Sequence, residues 1–296
     1  MTRLAKLHAT GNDFLVMVVP GRPFPGAEVA YALCDRQRGI GADGLLVLGP
    51  GTDGADATME LRNADGGVAE MSGNGIRCLA WVAVRDGLVS GDTLVVDTGG
   101  GRRVVALERD EHGMLVAATA DMGPVTFDPP AIPVDAPSPF DLEATFHGVT
   151  YRGDAAGVGN PHWVLLVDDI NGARVTQHGS RLECDERFPE RTNVEFVQAN
   201  PDRSLSMRVW ERGVGETLSC GTGACAAAAV ARRRGLVDDR VLVRVPGGNL
   251  DVTLGPNPDD PVRLGGPVTH VFDVEVDIDA IVHEAEVGAV EVRDRQ

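Results

Sequence analysis

Leu218-Ser219-Cys220-Gly221-Thr222-Gly223-Ala224-Cys225 and, 148 positions earlier, Glu70-Met71-Ser72-Gly73-Asn74-Gly75-Ile76-Arg77 are one pattern written twice. The same ungapped shift lays Cys220 on Ser72, Gly221 on Gly73 and Gly223 on Gly75. It also pairs Gly235-Leu236-Val237 with Gly87-Leu88-Val89, Gly247-Gly248 with Gly99-Gly100, and Gly159-Asn160 with Gly11-Asn12. One supersecondary unit therefore occurs twice. Each copy opens a helix with a Ser or Cys side chain ahead of Gly-X-Gly.

Outward from these starts, two stretches read as helices. Ala224 to Arg234 is almost solid alanine, with Arg232, Arg233 and Arg234 in its last turn and Gly235 just beyond, the pattern of a helix end. Ile76 to Asp86 before Gly87 is its counterpart, with Trp81 as a core residue. Apolar nearly all round, the first is expected to be buried. A third, weaker helix covers Glu28 to Cys34. Most other apolar segments are short Val- and Leu-rich runs bounded by Gly, Asp and Pro, such as 45–48, 103–107 and 163–167, which read as strands. The pairs 93–98 with 102–108 and 241–245 with 250–254 suggest antiparallel hairpins.

Six prolines between Pro124 and Pro139 interrupt regular structure near the midpoint, so a domain boundary is placed at residue 122. The expected division is 1–122 and 123–270, with a C-terminal strand over about 271–296 returning to the first half. The alternating Asp273-Val274-Glu275-Val276-Asp277-Ile278-Asp279 reads as an edge strand.

With 296 residues, 43% hydrophobic and 24% charged, the chain has room for two ordinary domains. It has no apolar run of bilayer length and no long apolar N-terminal stretch, so no membrane partner and a cytoplasmic location are expected. A formal charge of −17 argues against nucleic acid or an anionic membrane surface as partner. Any carboxylate bound here must be held by local donors. Five cysteines without CxxC or Cys/His ligand spacing give no sign of a disulfide framework or a metal site.

The first turn of a helix offers unpaired N–H groups and the positive end of the macrodipole. A thiol there is expected to have a lowered pKa, and glycines at 221 and 223 let a carboxylate approach the backbone. With two such starts converging, an α-carbon would lie between Cys220 and Ser72, one group removing the proton and the other delivering one from the opposite face. No cofactor is needed for that inversion. Flanking residues supply recognition groups: Asn12 and Asn160 at equivalent places, Asn63 and Glu211 also 148 apart, Arg212 as a bidentate partner for a second carboxylate, and Asn193 beside it.

Thr10-Gly11-Asn12-Asp13-Phe14, Arg38-Gly39-Ile40-Gly41-Ala42-Asp43-Gly44, Asn63-Ala64-Asp65-Gly66, Gly159-Asn160-Pro161-His162, Arg191-Thr192-Asn193-Val194 and Glu211-Arg212-Gly213-Val214-Gly215-Glu216-Thr217 resemble the successive signatures of the diaminopimelate epimerase family, from residue 7 to about 272. The resemblance implies an α+β fold of two pseudo-symmetric domains, each an antiparallel β-sheet wrapped around a central α-helix. It implies a pyridoxal-independent isomerase that interconverts LL- and meso-diaminopimelate for lysine and cell-wall synthesis, usually as a homodimer. Its substrate is a small amino acid with two carboxylates. By motif, Cys220 matches one catalytic cysteine; Asn12, Asn63, Asn160, Asn193, Glu211 and Arg212 match substrate contacts; Gly73, Asn74, Gly221 and Thr222 match the carboxylate-binding helix starts.

One position departs from the family: its second catalytic cysteine falls where this chain has Ser72. A hydroxyl is a far weaker acid than a thiol and needs an adjacent base, for which His162 and Glu211 are candidates. Three explanations stand open: a natural Ser/Cys pair that still epimerises, an engineered Cys→Ser variant, or a paralogue with changed chemistry. The rival functions are a proline-racemase-like epimerase or dehydratase of hydroxyproline, and a binding protein that retains the pocket without turnover.

Overall fold

The Val- and Leu-rich runs form strands, and each Gly-X-Gly segment opens a helix. The computed structural model describes residues 1–21 and 23–293, with backbone alone from 286 onward. The chain divides into two units, Met1–Ala118 with Val268–Gln296, and Thr119–Pro267.

The first unit begins with β1 (Thr2–Ala9), β2 (Asn12–Val18), α1 (Ala27–Cys34), β3 (Gly44–Pro50), β4 (Ala57–Asn63) and the short β5 (Val68–Ala69). α2 (Gly73–Arg85), β6 (Thr93–Thr98) and β7 (Gly101–Arg109) follow, and β8 (Leu115–Asp121) carries the chain into the second unit at Thr119. In the second unit come β9 (Leu142–Phe146), β10 (Val149–Gly157), β11 (Pro161–Leu166), α3 (Val175–Glu183), β12 (Asn193–Ala199), β13 (Leu205–Glu211) and β14 (Gly215–Thr217). α4 (Gly221–Arg233), β15 (Arg240–Val245), β16 (Gly248–Thr253) and β17 (Arg263–Pro267) complete it. The chain then returns to the first unit through β18 (Thr269–Val276) and α5 (Ile278–Arg293).

The repeat is visible in the pairing. β1 lies antiparallel to β2, β2 parallel to β3, β3 antiparallel to β4, and β4 parallel to β6. The second unit repeats this with β10, β11, β12, β13 and β15. Both expected hairpins are present as β6–β7 and β15–β16. The α+β class holds, but each sheet is mixed rather than wholly antiparallel. The parallel pairs arise where a helix carries the chain over the sheet: α1 and α3 in one crossover, α2 and α4 in the other.

α2 and α4 are the central helices. α2 packs on β1 to β4, and α4 on β10 to β13 and β15 to β17. Every residue from Gly73 to Val84 is buried, as is every one from Ala224 to Ala231, so neither helix has a solvent face. Both end alike. Gly87 and Gly235 each sit at φ +72°, and the next residue's N–H bonds back to Ala83 O and Ala231 O, each at 2.9 Å, a Schellman closure that favours glycine.

Two segments differ from expectation. Residues 175–183 form α3, the counterpart of α1. The C-terminal stretch expected as strand is strand only to Val276, pairing antiparallel with β1. Asp277 then ends it: its carboxylate accepts the Ala280 N–H at 3.3 Å and its carbonyl that of Ile281 at 3.2 Å, which starts a helix. Residues 294–296 of that expected strand lie outside the described residues.

Candidate active site

Ser72 and Cys220 are the N-caps of α2 and α4. Their backbones are extended (φ −139°, ψ 121° and φ −122°, ψ 114°), and each side chain accepts from the amide three residues on. Gly75 N donates to Ser72 Oγ at 3.0 Å and Gly223 N to Cys220 Sγ at 3.4 Å. Cys220 Sγ also lies 3.5 Å from Thr222 Oγ1. Gly73 and Gly221 are the first helical residues, and their own chain direction leaves the N–H groups of the first turn unpaired within the helix.

The thiol does not behave as the helix start alone predicts. Cys220 is 6% exposed, and burial, then Glu211, then Glu195, push its pKa well above the ordinary value against the opposing bonds from Thr222 and Gly223. Desolvation and two carboxylates outweigh one helix terminus, because the dipole is worth only about 0.3–2 kcal/mol. The expectation of a lowered pKa is therefore corrected: in the free protein Cys220 is a thiol.

Around Ser72 the polar groups form one network. Asn74 is 2% exposed and Arg77 fully buried. Arg77 donates to Gly73 O at 2.8 Å and to Asn74 Oδ1 at 2.7 Å. Asn74 Nδ2 donates to Asn12 Oδ1 at 3.2 Å, and Asn12 Nδ2 donates to Asp43 Oδ2 at 2.7 Å. Asp43 and Asp13 share Arg36, and Lys6 bonds Asp13 and the Gly41 carbonyl. The cations and hydrogen bonds around Asp13 hold its carboxyl far below the usual carboxylate range, despite burial. Asn63 is exposed at the end of β4, where its carbonyl accepts Gly66 N at 2.9 Å in a tight turn.

Around Cys220, Glu211 accepts from Thr217 Oγ1. Asn193, 4% exposed, donates to Pro161 O at 2.9 Å and accepts Arg212 N at 3.0 Å, so it sets the turn that presents Arg212. The Arg212 guanidinium is exposed and donates to Glu190 O at 3.1 Å. His162 is fully buried, with Nδ1 2.7 Å from Glu195 Oε1 and Nε2 2.8 Å from Asn160 Oδ1. His162 and Glu211 thus belong to the unit of Cys220, and both ring nitrogens of His162 are engaged there.

Sequence reading passed over Glu195, although it stands as a lone charge within the buried run of β12. It also passed over Asp43, Arg36 and Arg77. The signal for Glu195 was hidden by register: β3 and β12 are offset by one residue more than the helices, so the 148-residue shift sets Glu195 against Val47. The sheet pairing instead makes Leu46 its counterpart, since Leu46 sits between Val16 and Leu61 as Glu195 sits between Val164 and Val209.

The family profile for diaminopimelate epimerase matches residues 4–127 and 155–271. A diaminopimelate epimerase of Thioalkalivibrio sulfidiphilus is 38% identical over 284 residues, covering 93% of this chain and 99% of that protein. That of Xanthomonas oryzae pv. oryzae is 40% identical over 277 residues, 92% of this chain and 95% of the other. The crystal structure of a hydroxyproline epimerase from Agrobacterium vitis superposes with a TM-score of 0.68 at 20% identity, covering 92% and 91% of the two chains, a likeness of fold. With two matched helix caps, a repeated mixed sheet and this breadth of sequence identity, the chain belongs to the diaminopimelate epimerase family of isomerases.

Proposed function

We propose that this chain interconverts LL- and meso-diaminopimelate by cofactor-free proton transfer at the α-carbon, as a cytoplasmic homodimer, with Cys220 and Ser72 as the two proton-transfer groups. Family membership supports the substrate and the dimer. The observation that carries the chemistry is the matched pair of caps, one thiol and one hydroxyl, each holding the amide of residue i+3.

Inversion at carbon needs one group to take a proton from one face and another to supply one to the opposite face. Cys220 enters as a protonated thiol, ready as the acid. Its use as a base requires its pKa to fall when substrate binds. A substrate α-ammonium supplies that change, because a cation offsets the field of Glu211, the foremost charge holding the proton on sulfur. The helix starts, with Asn74 and Thr222, provide donors for the α-carboxylate, where charge accumulates as the proton leaves. Arg212, set by Asn193, serves the distal carboxylate, while Asn12, Asn63, Asn160 and Glu211 take the remaining polar groups.

Deuterium incorporation from heavy water tests this. Both diaminopimelate stereoisomers should gain α-deuterium, and hydroxyproline none. Label entering hydroxyproline alone overturns the reading. Tight diaminopimelate binding by calorimetry with no exchange from either isomer identifies a binding protein instead.

A further inference from the structure

The two units offer an internal comparison at the floor of each helix start. In the first, an ideal Cβ placed on Gly75 would lie 3.2 Å from Leu46 Cδ2. In the second, a Cβ on Gly223 would lie 2.6 Å from Glu195 Oε1. Glu195 therefore runs beneath the first turn of α4, where Leu46 runs beneath that of α2. The 148-residue shift likewise sets His162 against Phe14. The same two places hold an acid and an imidazole in one unit, and two apolar side chains in the other.

The fold accordingly does not require the polar pair. Buried polar pairs are costly to desolvate, and apolar replacements of similar size are often as stable or more so. Glu195 and His162 are both completely buried, and Glu195 Oε2 has no hydrogen-bond partner among the described residues. A buried carboxylate with one bare oxygen costs stability that Leu46 does not. The pair lies in the unit that carries the thiol and ends on Asn160.

Proton counting gives its action. His162 Nδ1 meets a carboxyl oxygen and Nε2 meets an amide oxygen. Both contacts are satisfied only if Nε2 carries a proton and a second proton lies between Nδ1 and Oε1. With Nε2–H donating, Asn160 must accept through Oδ1. We propose that Glu195 is a positioning residue for the Cys220 half of the reaction: it holds His162 by Nδ1, so that the Nε2 proton fixes Asn160 by its oxygen and turns the Asn160 amide nitrogen to the substrate. Asn160 as a substrate contact rests on the proposed function; the hydrogen-bonded row from Glu195 to Asn160 does not.

Two measurements test it. In proton NMR of the free protein, the wild type should show a far-downfield resonance from the Nδ1–Oε1 proton together with a protected Nε2–H. Glu195→Gln should lose the first and keep the second, since a glutamine amide can donate to Nδ1. A wild type lacking the downfield signal, or a variant retaining it, overturns the proposal whether or not the enzyme epimerises diaminopimelate. The second measurement moves the first unit's pair across, as Glu195→Leu with His162→Phe. Thermal stability should be kept or raised, while KM for diaminopimelate rises about tenfold and kcat changes less, the loss expected for one charge-assisted or orienting hydrogen bond. A double variant whose KM stays within about twofold of wild type shows that the pair does not orient Asn160.

Discussion

Ser72 and Cys220 share a backbone conformation, an amide donor and a place at the head of a 13-residue helix, yet differ in the acidity of the atom presented. The local structure is indifferent to the exchange: a sulfur or an oxygen caps the same turn. The chemistry is not indifferent, since a thiol reaches its anion far more readily than a hydroxyl. Ser72→Cys is therefore expected to fold unchanged and to raise epimerase turnover by about 10²-fold, the range of a well-placed general acid or base. Steady-state epimerisation of both stereoisomers checks it, and a variant no faster than the parent removes Ser72 from the catalytic pair. The helix-start logic for Cys220 was legible from residues 219–225 alone. The direction of its pKa was not, because Glu195 and Glu211 reach the thiol from strands 25 and 9 residues away in sequence.

At the scale of elements, local pattern and tertiary context divide cleanly. α2 and α4 could be read from their alanines, closing glycines and caps. α3 could not, because Gly179 breaks its helical pattern. The reason lies in packing: a Cβ there would fall 2.6 Å from the Trp210 ring, so glycine is kept for a close approach rather than for the backbone. α5 was masked by the alternation of acids through Asp279, which ends as strand at Asp277. The end of α4 carries a consequence of its own. Arg234 makes two bonds to the fully buried Asp154, at 2.9 Å and 2.5 Å, and one to Asp141 at 2.8 Å. Arg233 stands 3.6 Å from the same carboxylate. Arg234→Met should cost about 3 kcal/mol, at the low end for breaking a buried pair because Arg233 remains. Adding Asp154→Leu should restore most of it. Urea unfolding of the single and double variants checks this, and a single variant within about 0.5 kcal/mol of wild type would show that Arg233 compensates fully.

For the molecule as a whole, the repeat was visible in the ungapped shift, while the mixed pairing of the sheets was not. Parallel neighbours depend on where a crossover helix sets the next strand down, and no residue in β2 or β3 records that. The return of β18 has the largest effect. Val274, Val276, Ile278, Ile281 and Val282 pack against the cluster of Leu4, Leu15, Leu33 and Leu45, so the first unit is completed by the chain's last segments. A chain ending at Pro267 should keep Thr119–Pro267 resistant to protease and lose that resistance across 1–118, with mass spectrometry of the fragments as the readout. Equal resistance of both segments would show that β18 is dispensable.

Growth of the nascent polypeptide adds a temporal side to that return. Segment 119–267 is contiguous, and nothing made after Pro267 belongs to it. The amino-terminal portion, although made first, is completed only when residues 269–276 emerge. The half bearing the thiol is thus expected to mature before the half bearing the hydroxyl, reversing the usual order of domain maturation during translation.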